Sequence, residues 1–303
     1  MRSLHYIGWL LFVITGLICA SDKYVVAFAQ DTMANDFRKA QVIEVEETLA
    51  HHPDIKFIYS DAEGRISLMI RQMEHFIAQK VDLLIVGTSD ASAIVPVIEK
   101  AYSSGIKVVI LDRGVDTMAY TTFINSDNRK IGMLAAEFIA SQLERKGKVL
   151  LFEGLENIDV TEQRSEGFLK EISKYEKIQV IRRRGNYLRR DAIIEMEKII
   201  AEGIRLDAIF SESDSMLSGV RDVLRRHGID PASIIMVGCD YTAEAKEAIR
   251  EGAQHASVLF PLGGKEAAEV AVSLLKGERV PKHIQIPVKL VTRENVKEVS
   301  PIF

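Results

Sequence analysis

Residues 82–113 read DLLIVGTSDASAIVPVIEKAYSSGIKVVILDR. Two short runs rich in Val, Ile and Leu, Asp82–Val86 and Lys107–Leu111, give way to polar residues: Thr88 after the first, the pair Asp112–Arg113 after the second. The chain between them is long enough for a crossover helix, so the segment reads as one strand–helix–strand unit of a parallel sheet. The rhythm continues in both directions. Runs of the same kind lie at Tyr24–Ala29, Lys56–Ser60, Lys148–Phe152, Gln179–Ile181, Asp207–Ser211, Ile234–Val237 and Ala256–Phe260. Helical spacing separates them, with Ile66, Ile70, Met73 and Ile77 on one face, then Ile131, Leu134 and Phe138, and later Ile193, Met196 and Ile200. The fold class is therefore α/β, with parallel sheets covered by helices.

A chain of 303 residues exceeds one typical domain. The polar stretch Asp116–Asn128 interrupts the rhythm and reads as a crossover between two lobes, and Pro281–Val291 reads as an extended tail interrupted by Pro287. The expected division is a first lobe of 21–125 plus 262–287 and a second of 126–261 plus 288–303. Residues 1–20 stand apart as a signal peptide: Arg2 and His5 precede an apolar run, Tyr6–Ile18, that ends near the small residue Ala20. The run is shorter than the roughly 20 residues that span a bilayer. Cys19 would suit lipidation, but Ile18 occupies the place where that signal needs a small residue. Cleavage after Ala20 leaves Cys239 alone, so no intramolecular disulfide is expected, and the thiol reads as core filling.

A formal net charge of −4 argues against a surface devoted to nucleic acid. Dinucleotide and phosphate loops, a G-x-S-x-G elbow and an H-E-x-x-H helix are all missing from the sequence, so neither an enzyme, a metal nor a cofactor is expected. What the sequence does offer is a series of polar strand ends. In open parallel sheets ligands bind beyond the carboxyl ends of the strands. There the chain places Gln30–Asp31, Asp61, Thr88, Asp112–Arg113, Glu212–Ser213–Asp214 and Asp240. Carboxylates and guanidinium groups meeting between two lobes suit a polyhydroxylated ligand, because each buried hydroxyl needs partners. Phe37 and Tyr187 could pack on its C–H faces.

The elements QDTMANDFR (30–38), LDR (111–113), TTFINSDN (121–128), RSEGF (164–168), SESDSM (211–216) and VGCD (237–240) together resemble the periplasmic sugar-binding proteins of the ribose and galactofuranose type, over nearly all of the mature chain. The resemblance implies two Rossmann-like lobes joined by a multi-strand hinge, closing on a monosaccharide. Phe37 would stack on the sugar ring beside Arg38, with Gln30, Asp61, Asp112 and Arg113 from the same lobe and Arg164, Tyr187, Ser213 or Asp214, and Asp240 from the other. The implied protein is a periplasmic monomer that hands its solute to the membrane permease of an ABC importer or presents its closed form to a sensor receptor. Two departures from similar proteins, Ser213 for a frequent Asn and Leu259–Phe260–Pro261 for a Gln or Glu, remove hydrogen-bonding capacity and leave a furanose, a pyranose or a non-sugar open.

Overall fold

A computed structural model describes residues 23–303. The signal peptide and the Cys19 reading lie outside the described residues. The first sheet is built from β1 (Tyr24–Gln30), β2 (Ile55–Asp61), β3 (Leu83–Gly87), β4 (Lys107–Leu111) and β5 (Thr122–Ser126), alternating with α1 (Asp36–Leu49), α2 (Ile66–Ala78) and α3 (Val95–Ser103). Then α4 (Asn128–Gln142) leads into a second sheet of β6 (Lys146–Glu153), β7 (Lys177–Arg184), β8 (Ala208–Ser211), β9 (Ile235–Asp240) and β10 (Ala256–Leu259). Its crossovers are α5 (Asp159–Ile172), α6 (Arg189–Ala201), α7 (Asp214–Arg226) and α8 (Ala243–Glu251). Finally α9 (Gly264–Leu275) and β11 (His283–Ile286) return to the first sheet, and β12 (Lys289–Thr292) to the second.

Strand orders are β11-β5-β4-β3-β1-β2 and β12-β10-β9-β8-β6-β7, parallel throughout except for β12 against β10. The two lobes thus repeat one plan, in which β6 to β10 retrace the order of β1 to β5. Each sheet is buried on both faces. Val26 and Phe28 enter one apolar cluster and Ala27 and Ala29 the other, the two-residue alternation of a strand covered by helices on both sides. Among the described residues the chain passes between the lobes three times, at 126–128, 260–263 and 287–288. This is the multi-strand hinge.

One expectation needs correction. Residues 122–126 are not merely crossover but a fifth strand, with Thr122, Ile124 and Ser126 buried and Val109 facing Thr122 in register. Only two of its five residues are large and apolar. Neighbouring β4 and β11, and the Thr122 hydroxyl donating to the Pro281 carbonyl at 2.7 Å, hold it in place.

The second lobe depends on a close helix crossing. A Cβ on Gly132 of α4 would stand 2.0 Å from the Arg164 carbonyl of α5, and one on Gly167 would stand 2.1 Å from the Arg129 carbonyl. Backbone cannot yield as a flexible side chain does, so the helices would have to separate. Gly132→Ala is expected to lower stability by about 1–3 kcal/mol in chemical denaturation. It should also weaken ligand binding, since α5 carries Arg164; an unchanged midpoint would mean the crossing is looser than described.

Candidate functional site

The carboxyl ends of both sheets face one narrow hollow, partly open to solvent, with about 320 Å³ of empty space when the part open to solvent is included. Phe37, Arg38, Asp112 and Arg113 line it from the first lobe, and Arg164, Tyr187, Ser213 and Asp240 from the second. Eight of the eleven residues singled out in the sequence therefore meet there.

Local structure explains why. Asn35 caps α1 by accepting from the Arg38 amide at 3.2 Å, which sets Phe37 and Arg38 on the helix's first turn. Asp112 follows β4 and Asp240 ends β9, equivalent strands of the two lobes, and both adopt positive φ, 71° and 105°. Such backbone is costly for a residue with a Cβ and concentrates at functional sites. Ser213 caps α7 and donates to Asp240 Oδ2 at 3.0 Å.

Charge in the hollow is organised in two groups. In the first lobe Arg38 pairs with Asp112 at 2.9 Å and Arg113 with Asp31 at 3.0 Å, all four side chains buried. Burial and the neighbouring Arg38 pull the Arg113 pKa down, while Asp31 and Asp112 oppose this. Arg113 thus has a protein partner as well as a place in the hollow. In the second lobe Arg164 donates to Asn128 at 2.9 Å and to the Glu212 carbonyl at 2.8 Å, and its guanidinium lies 4.4 Å over the Phe260 ring. Burial pushes Asp240 up to about 8 despite Arg164 nearby. Burial likewise raises Tyr187, whose hydroxyl shares a 2.7 Å hydrogen bond with Thr161. Two side-chain atoms of the lining are buried without a partner: the acceptor Oδ1 of Asp112 and the donor Nε of Arg113.

Three predicted residues lie elsewhere. Gln30 turns beneath α1, donating to the Arg38 carbonyl at 3.3 Å and to Gln41 at 3.4 Å. Asp61, on the edge strand β2, accepts from the Met33 and Glu63 amides and shapes a turn. Asp214 is buried behind the site, accepting from Ser257 at 2.5 Å, Gln254 at 2.7 Å and the Tyr241 amide at 2.7 Å. A polar strand end fixes which loop a residue occupies, not the direction of its side chain.

Conversely, Asn35, Val160 and Phe260 line the hollow without having been singled out as ligand-binding. Asn35 had a legible signal, a cap residue before a helix; its amide reaches across the lobes to the Tyr187 carbonyl at 3.1 Å. Phe260 stacks on Phe37 with centroids 5.1 Å apart and planes 13° from parallel. Val160 carries no signal in the sequence. The lobes also meet where the Gly114 amide donates to Asp159 at 2.9 Å, so the structure is a closed form.

Tyr187 owes its position to an absent Cβ. One on Gly154 would fall 1.9 Å from the Tyr187 Cζ. Gly154→Ala is expected to drive the ring from the hollow and weaken binding about tenfold while the protein still folds; calorimetric titration with the solute reads this directly, and unchanged affinity would remove Tyr187 from the site.

Residues 26–279 match the family described as periplasmic binding protein domain. The chain belongs to this family. It is 30% identical over 275 residues to the ribose import binding protein of Bacillus subtilis, covering 90% of this chain and 88% of that one. Among solved structures, a solute-binding protein of an ABC transporter from Bacillus halodurans with bound myo-inositol is 28% identical, with a TM-score of 0.86 over 92% of this chain and 97% of that one. The fructose-binding periplasmic domain of a hybrid two-component system is 25% identical, with a TM-score of 0.84 over 91% and 92%. The fold is that of the type I periplasmic binding proteins.

Proposed function

We propose that the protein is an extracytoplasmic solute-binding protein that captures a monosaccharide or similar polyol between its lobes and delivers it to an ABC importer. The observation that carries this reading is the pair of unpartnered buried atoms, Asp112 Oδ1 and Arg113 Nε. An acceptor and a donor on successive residues suit hydroxyls, which can fill either role, and an unmatched buried polar group costs about 1–3 kcal/mol until something pairs with it. Binding proteins of this architecture open and close by hinge motion. The lobes taken to move are 21–125 plus 262–287 and 126–261 plus 288–303, hinged at the three crossings. Export by the N-terminal segment, a monomeric state and a membrane permease as partner complete the proposal.

The test is calorimetric titration of the mature protein with a panel of aldoses, ketoses and cyclic polyols. Sub-millimolar binding of at least one member is expected. A folded protein that binds none would overturn the reading. The likeness to the periplasmic domain of a two-component system supports a second reading, presentation of the closed form to a receptor. A deletion strain separates the two: lost uptake with intact ligand-dependent signalling supports import, and the reverse supports sensing.

A further inference from the structure

The side chains lining the hollow are of two kinds, those that can hydrogen-bond a ligand and those that cannot. In the second lobe the Tyr187 hydroxyl is engaged by Thr161, the Ser213 hydroxyl by one oxygen of Asp240, and two nitrogens of Arg164 by Asn128 and the Glu212 carbonyl, which leaves the other Asp240 oxygen and the third Arg164 nitrogen for a ligand. The Asn35 amide is engaged by the Tyr187 carbonyl. In the first lobe the unpartnered buried atoms of the lining belong to Asp112 and Arg113.

Phe260 and Val160, by contrast, line the same hollow and offer a ligand no hydrogen bond at all. Phe260 is also not free to step aside. It is 3% exposed, stacked on Phe37 from the other lobe at 5.1 Å and held beneath the Arg164 guanidinium at 4.4 Å. A ligand hydroxyl brought against either side chain loses water and gains no hydrogen bond from it. A hydrogen or methyl group there loses no hydrogen bond and gains contact.

We propose that the solute is an amphipathic sugar, with adjacent hydroxyls for Asp112 and Arg113 and a deoxygenated or methyl-bearing carbon against Phe260 and Val160, the chemistry of a deoxysugar. This rests on the solute-binding reading and names its substrate class. A single added hydroxyl against an apolar wall changes affinity by about ten- to a hundredfold, so the preference is readable in matched pairs.

The experiment is calorimetric titration of the mature protein with D-galactose and D-fucose, L-mannose and L-rhamnose, and D-ribose and 5-deoxy-D-ribose. In the pair whose stereochemistry fits, the deoxy member is expected to bind about tenfold or more tightly than its parent. Phe260→Gln, which places an amide on the wall, should erase or reverse that ratio. Val160→Thr adds a hydroxyl with little change of shape and should shift it in the same direction, so the comparison survives if one variant fails to fold. A parent that binds more tightly than its deoxy partner in every pair, with a ratio that neither variant moves, overturns the proposal and leaves the solute-binding reading standing. Binding of none of the six by the folded protein removes the proposal, and a failure extending to the whole panel of aldoses, ketoses and polyols removes the broader reading with it.

Discussion

Arg113→Ala should abolish solute binding and lower stability by about 3 kcal/mol, the low end of the cost of breaking a buried ion pair. Both effects have one origin. Arg113 is 7% exposed and donates to Asp31 Oδ2 at 3.0 Å, while its Nε has no protein partner. Removing the guanidinium leaves Asp31 buried, with Arg38 at 3.9 Å as its remaining cation. The same change withdraws a guanidinium from the lining of the hollow. A double variant, Arg113→Ala with Asp31→Ala, separates the two consequences: part of the lost stability should return because no carboxylate is left stranded, but binding should not. Urea denaturation and calorimetric titration on the same samples read both. A single variant of full stability would show that the Asp31 pair is not formed in solution. Retained affinity would remove Arg113 from the site.

The second large effect concerns a proton. The Ser165 hydroxyl lies 3.0 Å from Glu153 Oε1 and 2.7 Å from Glu212 Oε1. A hydroxyl has one hydrogen and can donate to one carboxylate only, so two ionised neighbours would leave one contact repulsive. Glu153 has a cationic partner, Arg182, at 2.5 Å. Glu212, which accepts from Ser165 when ionised, is therefore the carboxyl that takes up a proton as pH falls below about 7, and in that form it donates to Ser165 instead. Burial pushes Glu212 up to about 7, opposed by the Gly154 amide, Ser165 and Arg164 and reinforced by Glu153. Burial raises Asp214 to about 6 and Asp240 to about 8 in the same sense.

The sign follows from linkage. A carboxyl group that holds its proton more tightly when folded contributes most to stability at low pH, and that contribution is lost as pH rises from its unfolded value through its folded one. For Glu212 the window runs from 4.5 to about 7, and across it the loss is on the order of 3 kcal/mol. Glu212→Gln keeps the shape, lets an amide donate to Ser165 and leaves an oxygen for the Gly154 amide. It should be nearly neutral at pH 5 and stabilising by about 1–3 kcal/mol at pH 8. Denaturation midpoints of both proteins at the two pH values check this. Equal differences at pH 5 and pH 8 would show that Glu212 does not carry the proton.

Different parts of the molecule were legible in the sequence to different degrees. The β-rich runs around residues 82–113 are unmistakable because strands buried on both faces must be apolar at nearly every position. β5 was not, because its five residues have little apolar content of their own and take strand geometry from β4 and β11. Asp112, Arg113 and Asp240 could be picked out because strand ends in such sheets border the ligand site. Asp61 and Asp214 met the same criterion and lie outside the hollow. Val160 met no criterion, since an apolar residue at a helix start is indistinguishable from core.

The order of apolar runs and polar ends was enough to determine the α/β class, the repetition of one plan in two lobes, and the loops from which a ligand could be held. These follow from local periodicity, which each segment carries by itself. Which side chains meet was decided by the tertiary structure alone: Asp31 with Arg113, Phe37 against Phe260, Glu212 hydrogen-bonded to Ser165. Each of those contacts joins residues far apart in the chain, and side-chain direction at a strand end depends on what packs beside it, which no local pattern contains.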